Sequence, residues 1–213
     1  LAYQNIFVVD PLYTLPFLMF LIIVMTLKKD NPKRFKFNTI GLSVSSSYLL
    51  LTLIFKWISF QEFKEGLQNQ KIEYVEMDTK PSPLNSILWS SLIETDKGYR
   101  TAYYSLFDKK EITYSKEFLK NHHLLEPYLE QKVIKQLIDI SAGWYRIEEK
   151  NGKLLFWDLR FGQMGLDVNN ASFLWYYELN IGENGNMTAL KRQPKIKNFK
   201  LVFKELFNRI KGN

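Results

Sequence analysis

The chain has 213 residues, 46% hydrophobic and 24% charged, enough for one ordinary domain or a small domain with an appendage and too apolar for a disordered chain. With no Cys and two His, His122 and His123, it excludes a disulfide framework, a thiolate metal site, a Cys nucleophile and a His-rich metal centre within this stretch. The net charge of +7 sits in residues 191–213, which hold eight Lys or Arg and one acid; the rest balances, so the high pI does not signal nucleic-acid binding.

The first residue is Leu rather than Met, and the sequence is expected to be a piece of a longer protein. Two apolar runs come first. Leu12 to Leu27 carries no charge and extends back to Ile6 with Asp10 as its one interruption. Phe37 to Phe55 is the second, with Lys56 placed to snorkel. At 1.5 Å per residue the runs reach about 25–33 Å, the hydrocarbon thickness of a bilayer, and neither has a polar face. Two transmembrane helices are expected. Between them, Lys28 to Lys36 holds five basic residues and one acid, and the positive-inside rule puts this loop in the cytoplasm. Everything after Phe60 is then extracytoplasmic. Ser43, Ser45, Ser46 and Ser47 would let a neighbouring helix approach closely, or are simply tolerated small residues.

Gln61 to Gln70 continues the second helix. Lys71 to Asp78 alternates and predicts a strand, and Lys80 to Pro83 predicts a break. Ser86 to Ile93 and Tyr99 to Phe107 flank a turn at Asp96-Lys97-Gly98, a hairpin signal. Glu126 to Ala142 predicts a helix, with Pro127 at its first position, Gly143 after its end, and Leu129, Val133, Leu137 and Ile140 on its apolar face. Trp144 to Phe161 predicts a second hairpin with Asn151-Gly152 as a type I′ turn. Phe173 to Asn180 predicts a further strand, paired across Gly185 with Asn186 to Leu190. The expectation is therefore a membrane α-helical part over residues 1–60, an α+β domain over 61–190 with a mainly antiparallel sheet and one packing helix, and a basic amphipathic helix over 191–213. In that tail Phe199, Val202, Phe203, Leu206, Phe207 and Ile210 recur at helical spacing among Lys and Arg. Such a helix either lies on a membrane surface or docks on its own domain, and the sequence leaves both open.

Asp10 is the leading candidate for chemistry. An ionisable group at a membrane boundary is costly and often functional. Asp followed by Pro is also an ordinary helix start, and the two roles are compatible. Adjacent His122 and His123 read as solvent-exposed loop residues. Asp158 and Arg160 share a strand face and read as a surface ion pair or an anion site. Trp89, Tyr103, Tyr104, Trp157, Trp175 and Tyr176 read as core and interface aromatics or as a ligand cage.

Four motifs occur in order: FVVDPLYTLP (Phe7 to Pro16), PSPLNSILW (Pro81 to Trp89), GYRTAYYSLFD (Gly98 to Asp108) and WDLRFG (Trp157 to Gly162). Together they resemble the bacterial inner-membrane metal-dependent hydrolases, also described as LexA-binding, inner membrane-associated hydrolases. The resemblance spans residues 1 to about 165. It implies a multi-pass membrane domain, a divalent metal ion, and a His- and Asp-containing cluster whose main ligands would lie upstream of Leu1. Asp10 is the residue it carries onto this chain, as metal ligand or as the group that orients one, with Tyr13 and Thr14 as neighbours and Asn85, Trp89 and Arg160 as weaker candidates for the site. The implied mechanism is metal-assisted attack of water, the ion lowering the pKa of bound water towards ~7. The resemblance gives a reaction class and no substrate; an amphiphile such as a lipid or envelope precursor is the expected substrate because Asp10 lies at the expected lipid boundary. The rival expectation is a non-enzymatic membrane-anchored binding or interaction module.

Overall fold

The computed structural model describes residues 4–168, 172–182, 185–194 and 199–213. A helical N-terminal region precedes a domain built on two antiparallel sheets.

Helix α1 runs Pro11–Thr26 and helix α2 runs Pro32–Asn69. Each starts with Pro behind a capping side chain: Asp10 Oδ1 accepts from the Leu12 N–H at 2.9 Å, and Asn31 Oδ1 from the Lys33 N–H at 2.9 Å. The two helices pack antiparallel. A Cβ on Gly41 would lie 2.7 Å from the Phe20 Cβ, so glycine is what allows the close approach there. Farther along, Tyr13 meets Tyr48 and the Asn5 side chain donates to Thr52 Oγ1 at 2.8 Å. Of the serine cluster, Ser45 is buried while Ser43, Ser46 and Ser47 are exposed. Among the described residues α2 is the one helix long and apolar enough to cross a membrane, with mean hydropathy 1.4 over its most apolar window. Helix α1, at 16 residues, falls short of the ~20 that a bilayer core requires.

The C-terminal third of α2 leaves its apolar run and becomes a packing helix. Phe63 and Leu67 are fully buried against the first sheet. That sheet has strands β1 (Glu76–Pro81), β2 (Leu88–Glu94), β3 (Gly98–Ser105) and β4 (Phe118–Leu119), in sequential order. The first strand thus starts five residues later than its alternation predicts and includes Lys80 and Pro81, because Pro81 pairs with Trp89 on an edge strand, where a missing N–H is tolerated. The β2–β3 hairpin forms as expected, with Glu94 opposite Tyr99.

The expected helix over Glu126 to Ala142 divides. A 3₁₀ turn covers His122–Tyr128, with Pro127 inside it, and α3 begins only at Lys132 and ends at Ser141. Its buried face is Ile134, Leu137 and Ser141, whereas Leu129 and Ile140 are exposed. The second sheet follows, with strands β5 (Tyr145–Lys150), β6 (Lys153–Met164), β7 (Ser172–Ile181) and β8 (Met187–Arg192), again sequential. Asn151 and Gly152 both have positive φ, +52° and +71°, the requirement of a type I′ turn.

The sheets face each other. Leu92 and Tyr99 of the first meet Leu155, Trp157, Leu159 and Phe173 of the second. On the far face of the second sheet, Tyr145, Ile147, Phe156 and Leu179 pack on Leu125, Ile134 and Leu137. The layers run α2, first sheet, second sheet, α3, so the expected single sheet with one packing helix becomes two sheets with a helix on each outer face. Helix α4 (Phe199–Ile210) packs Leu206 against Leu88 and Tyr103.

Candidate functional site

Asp10 lies where α1, α2 and the first sheet meet, and it is 1% exposed. Its Oδ1 caps α1. Its Oδ2 accepts from the Ser86 hydroxyl at 2.6 Å and from the Tyr48 hydroxyl at 2.8 Å. The backbone N–H of Thr14 bonds the Asp10 carbonyl at 2.8 Å, so Thr14 serves the first helical turn. Tyr13 stacks on Phe17 and tilts against Tyr48, the phenol that donates to the carboxylate. A buried carboxylate demands donors, and here two hydroxyls and one backbone N–H supply them in place of a cation.

Ser86 is held in place by its own loop. Asn85, 5% exposed, accepts from the Ile87 and Leu88 N–H groups at 2.9 and 2.7 Å and donates to the Pro83 carbonyl at 3.0 Å. The indole N–H of Trp89 donates to the Ser86 carbonyl at 3.1 Å. Asn85 and Trp89 therefore fix the loop that presents Ser86 to Asp10. They are positioning residues for this contact.

Arg160 is committed elsewhere. Its guanidinium makes a bidentate contact with Asp158, Nε to Oδ1 at 3.0 Å and Nη2 to Oδ2 at 2.7 Å. The Asp158 side chain is only 2% exposed, so the expected surface pair is a half-buried one. The carboxylate beside it raises the Arg160 pKa further and fixes its charge. Arg160, Asp78, Lys80 and Gln163 line a cavity of about 30 Å³ between the sheets. That holds a water or so and is an order of magnitude below a substrate pocket.

His122 differs from its expected exposure. Its ring stacks on Tyr145 with centroids 4.0 Å apart and bonds the Tyr145 carbonyl at 2.9 Å. Burial lowers its pKa. His123 is exposed, as adjacent loop residues with alternating environments often are. The aromatics do not form one cage: Trp89 and Tyr104 pack on α2, Trp157 and Tyr176 lie between the sheets, and Tyr103 packs under α4. Trp175 instead carries Lys191 over its ring at 4.0 Å.

The sequence reading missed Tyr48 and Ser86. A phenol inside an uncharged helical run is the one available signal for the first. Among the described residues no group of three or more His, Asp or Glu converges in the manner of a metal site. The donors beside Asp10 are hydroxyls, so the residues present do not by themselves make a ligand set for a divalent ion. No protein-family model, no curated protein and no solved structure matches the chain at a significant level.

Proposed function

We propose that this chain is the C-terminal part of a multi-pass bacterial inner-membrane hydrolase acting on an amphiphilic envelope compound, with Asp10 as its contribution to the active centre and its sheet domain on the extracytoplasmic side. The observation that carries this is the buried Asp10 carboxylate, held at the mouth of an apolar helical hairpin without a cation facing it in the described contacts. In this reading α1 and α2 both cross the bilayer, and the basic loop Lys28 to Lys36 stays in the cytoplasm. The Ser86 and Tyr48 hydroxyls orient the carboxylate and shield it from bulk water. A metal-dependent reaction requires further donors from outside this chain, since two hydroxyls and one carboxylate are too few and too weak.

The test is the metal content of the purified full-length protein and of its Asp10→Asn variant. Asn preserves the cap but is a poorer ligand for a divalent ion. The expected outcome is a loss of bound metal in the variant. Unchanged metal content would remove Asp10 from the active centre.

A second reading is favoured by one observation: both Asp10 oxygens are already engaged, Oδ1 in the cap of α1 and Oδ2 with Tyr48 of the hairpin and Ser86 of the sheet domain. In that reading the chain is a membrane-anchored binding module and Asp10 is its bolt. Asp10→Asn would then change thermal stability and leave metal content alone.

A further inference from the structure

The basic amphipathic tail is expected from sequence to choose between the membrane and its own domain. The structure divides its apolar stripe into two. Leu206 is buried against Leu88 and Tyr103, and Ile210 packs beside it. Arg209 clamps the helix by a bidentate contact with Asp108, Nη2 to Oδ2 at 2.6 Å, and donates to the Tyr103 carbonyl at 3.0 Å. The Ser105 hydroxyl donates to the Ile210 carbonyl at 2.7 Å. Phe199, Phe203 and Phe207 take no part in this docking and remain exposed, at 62%, 43% and 56%. At about 100° per residue Phe203 and Phe207 lie beside the docked face, Phe199 lies on the line of Leu206 about two turns before it and is undocked, and exposed Lys200, Lys204 and Lys211 form the next strip round. A helix buried on one flank, aromatic on the second and cationic on the third has the cross-section of an interfacial helix held in one roll angle.

Its place in the fold supplies the occupant. The docked end of α4 sits on Leu88 and Ser105, which face each other at the end of the β2–β3 hairpin. Ser86, two residues before Leu88, is the residue that touches Tyr48 on α2. Exposed apolar side chains recur along α2 from Phe35 to Trp57, about 33 Å of helix, with small Thr39, Ser43, Ser46 and Ser47 exposed among them. Tyr48 therefore lies nine residues, about 13 Å, short of the outer end of that apolar length. The base of the first sheet lies along α2 from Tyr48, which Ser86 touches, to Phe63, whose ring meets Tyr104, a stretch that brackets the outer end of the apolar length, and α4 is fastened to that base. Phe107, exposed at the same corner, and Trp57 on α2 complete an aromatic rim of the kind found at membrane interfaces.

We propose that α4 is an in-plane membrane anchor: its phenylalanine strip enters the outer leaflet beside the helical hairpin, and its lysines engage anionic lipid headgroups. The inference rests on the membrane reading of α2. Charge complementarity chooses the leaflet chemistry, because residues 191–213 carry eight cations and one acid.

The chain has no Cys, so single cysteines can be placed and labelled without background. The full chain is reconstituted into vesicles of phosphatidylglycerol and phosphatidylcholine, with lipids brominated near the headgroup as quenchers. An environment-sensitive fluorophore is attached to Phe203→Cys, to Leu18→Cys as a reporter of hairpin insertion, or to Thr188→Cys as an aqueous reference. The expected result is a blue-shifted, severalfold quenched label at position 203, with quenching weaker in pure phosphatidylcholine and falling as salt rises. A second variant, Phe199→Ser with Phe207→Ser, should reduce that quenching while leaving the thermal midpoint unchanged, since neither side chain is docked. An aqueous label at 203 beside a quenched label at 18 overturns the anchor and leaves the membrane reading intact. Aqueous labels at both positions overturn the two together. A dry label at 203 that lipid cannot quench, with crosslinking between copies, also overturns it, since a second copy would then cover the strip.

Discussion

The two sheets share an architecture and differ in what covers them. Both have four antiparallel strands in sequential order. The first is covered on its outer face by a continuation of the membrane-crossing candidate helix, and is tied to the hairpin through Ser86, Tyr48 and Asp10. The second is covered by α3 and the preceding 3₁₀ turn, both of local origin. The first sheet thus borrows its core from the helical region, and the second carries its own. Local patterning should reveal the second more completely than the first, and changes in the two should be felt in different places.

The largest effect is expected from Phe156→Ala. The ring is fully buried, stacked on Tyr145 with centroids 4.6 Å apart, and central to the second sheet. Its loss should cost about 3–5 kcal/mol. Denaturant unfolding in detergent should show the loss, and hydrogen exchange should rise first in β5 to β8. Equal deprotection of β1 to β3 would mean that the sheets fold as one unit and that the comparison fails.

Asp10→Ala should act on the other side. It removes a helix cap and leaves the Tyr48 and Ser86 hydroxyls buried without their acceptor, at a cost of about 2 kcal/mol. Exchange should rise in the first turn of α1 and in the Ser82–Ser86 loop while β5 to β8 stay protected. Protection lost in β5 to β8 would show that the hairpin supports both sheets.

The smallest effect concerns the junction between them. His122 stacks on Tyr145 of the second sheet, and Lys120 and Glu94, joined by an ion pair, face it from the first. Burial lowers its pKa, so below about 6.5 the unfolded chain takes up a proton that the folded chain resists. Stability should therefore fall as pH drops through that value, and the fall should be shallower in His122→Asn. Identical pH profiles would show that the ring is effectively solvated.

The elements written in local chemistry were legible from sequence. Asn151-Gly152 demands a tight hairpin, and hydropathy marks α2. The face of α3 was legible in part: Leu137 is buried and Val133 packs beside it, but Ile140 is exposed, and Leu129 lies before the helix because the chain uses Pro127 inside a 3₁₀ turn. The bond from Ser86 to Asp10 joins residues 76 apart, and no local pattern encodes such a separation. Asp10 itself was legible as a cap. Its burial was not, since burial there is conferred by a loop of the distant sheet.

One consequence follows from the length of α1. Its 16 residues rise about 24 Å, while exposed apolar side chains recur along α2 beside it for about 33 Å. On the proposed crossing, lipid meets a shorter wall on one flank of the hairpin than on the other. At that end Ser86 bonds Asp10, so the loop of the first sheet meets the start of α1. A bilayer around such a hairpin would be pinched on the α1 flank, so thin-tailed lipids should gather there and thicker membranes should tilt the whole domain.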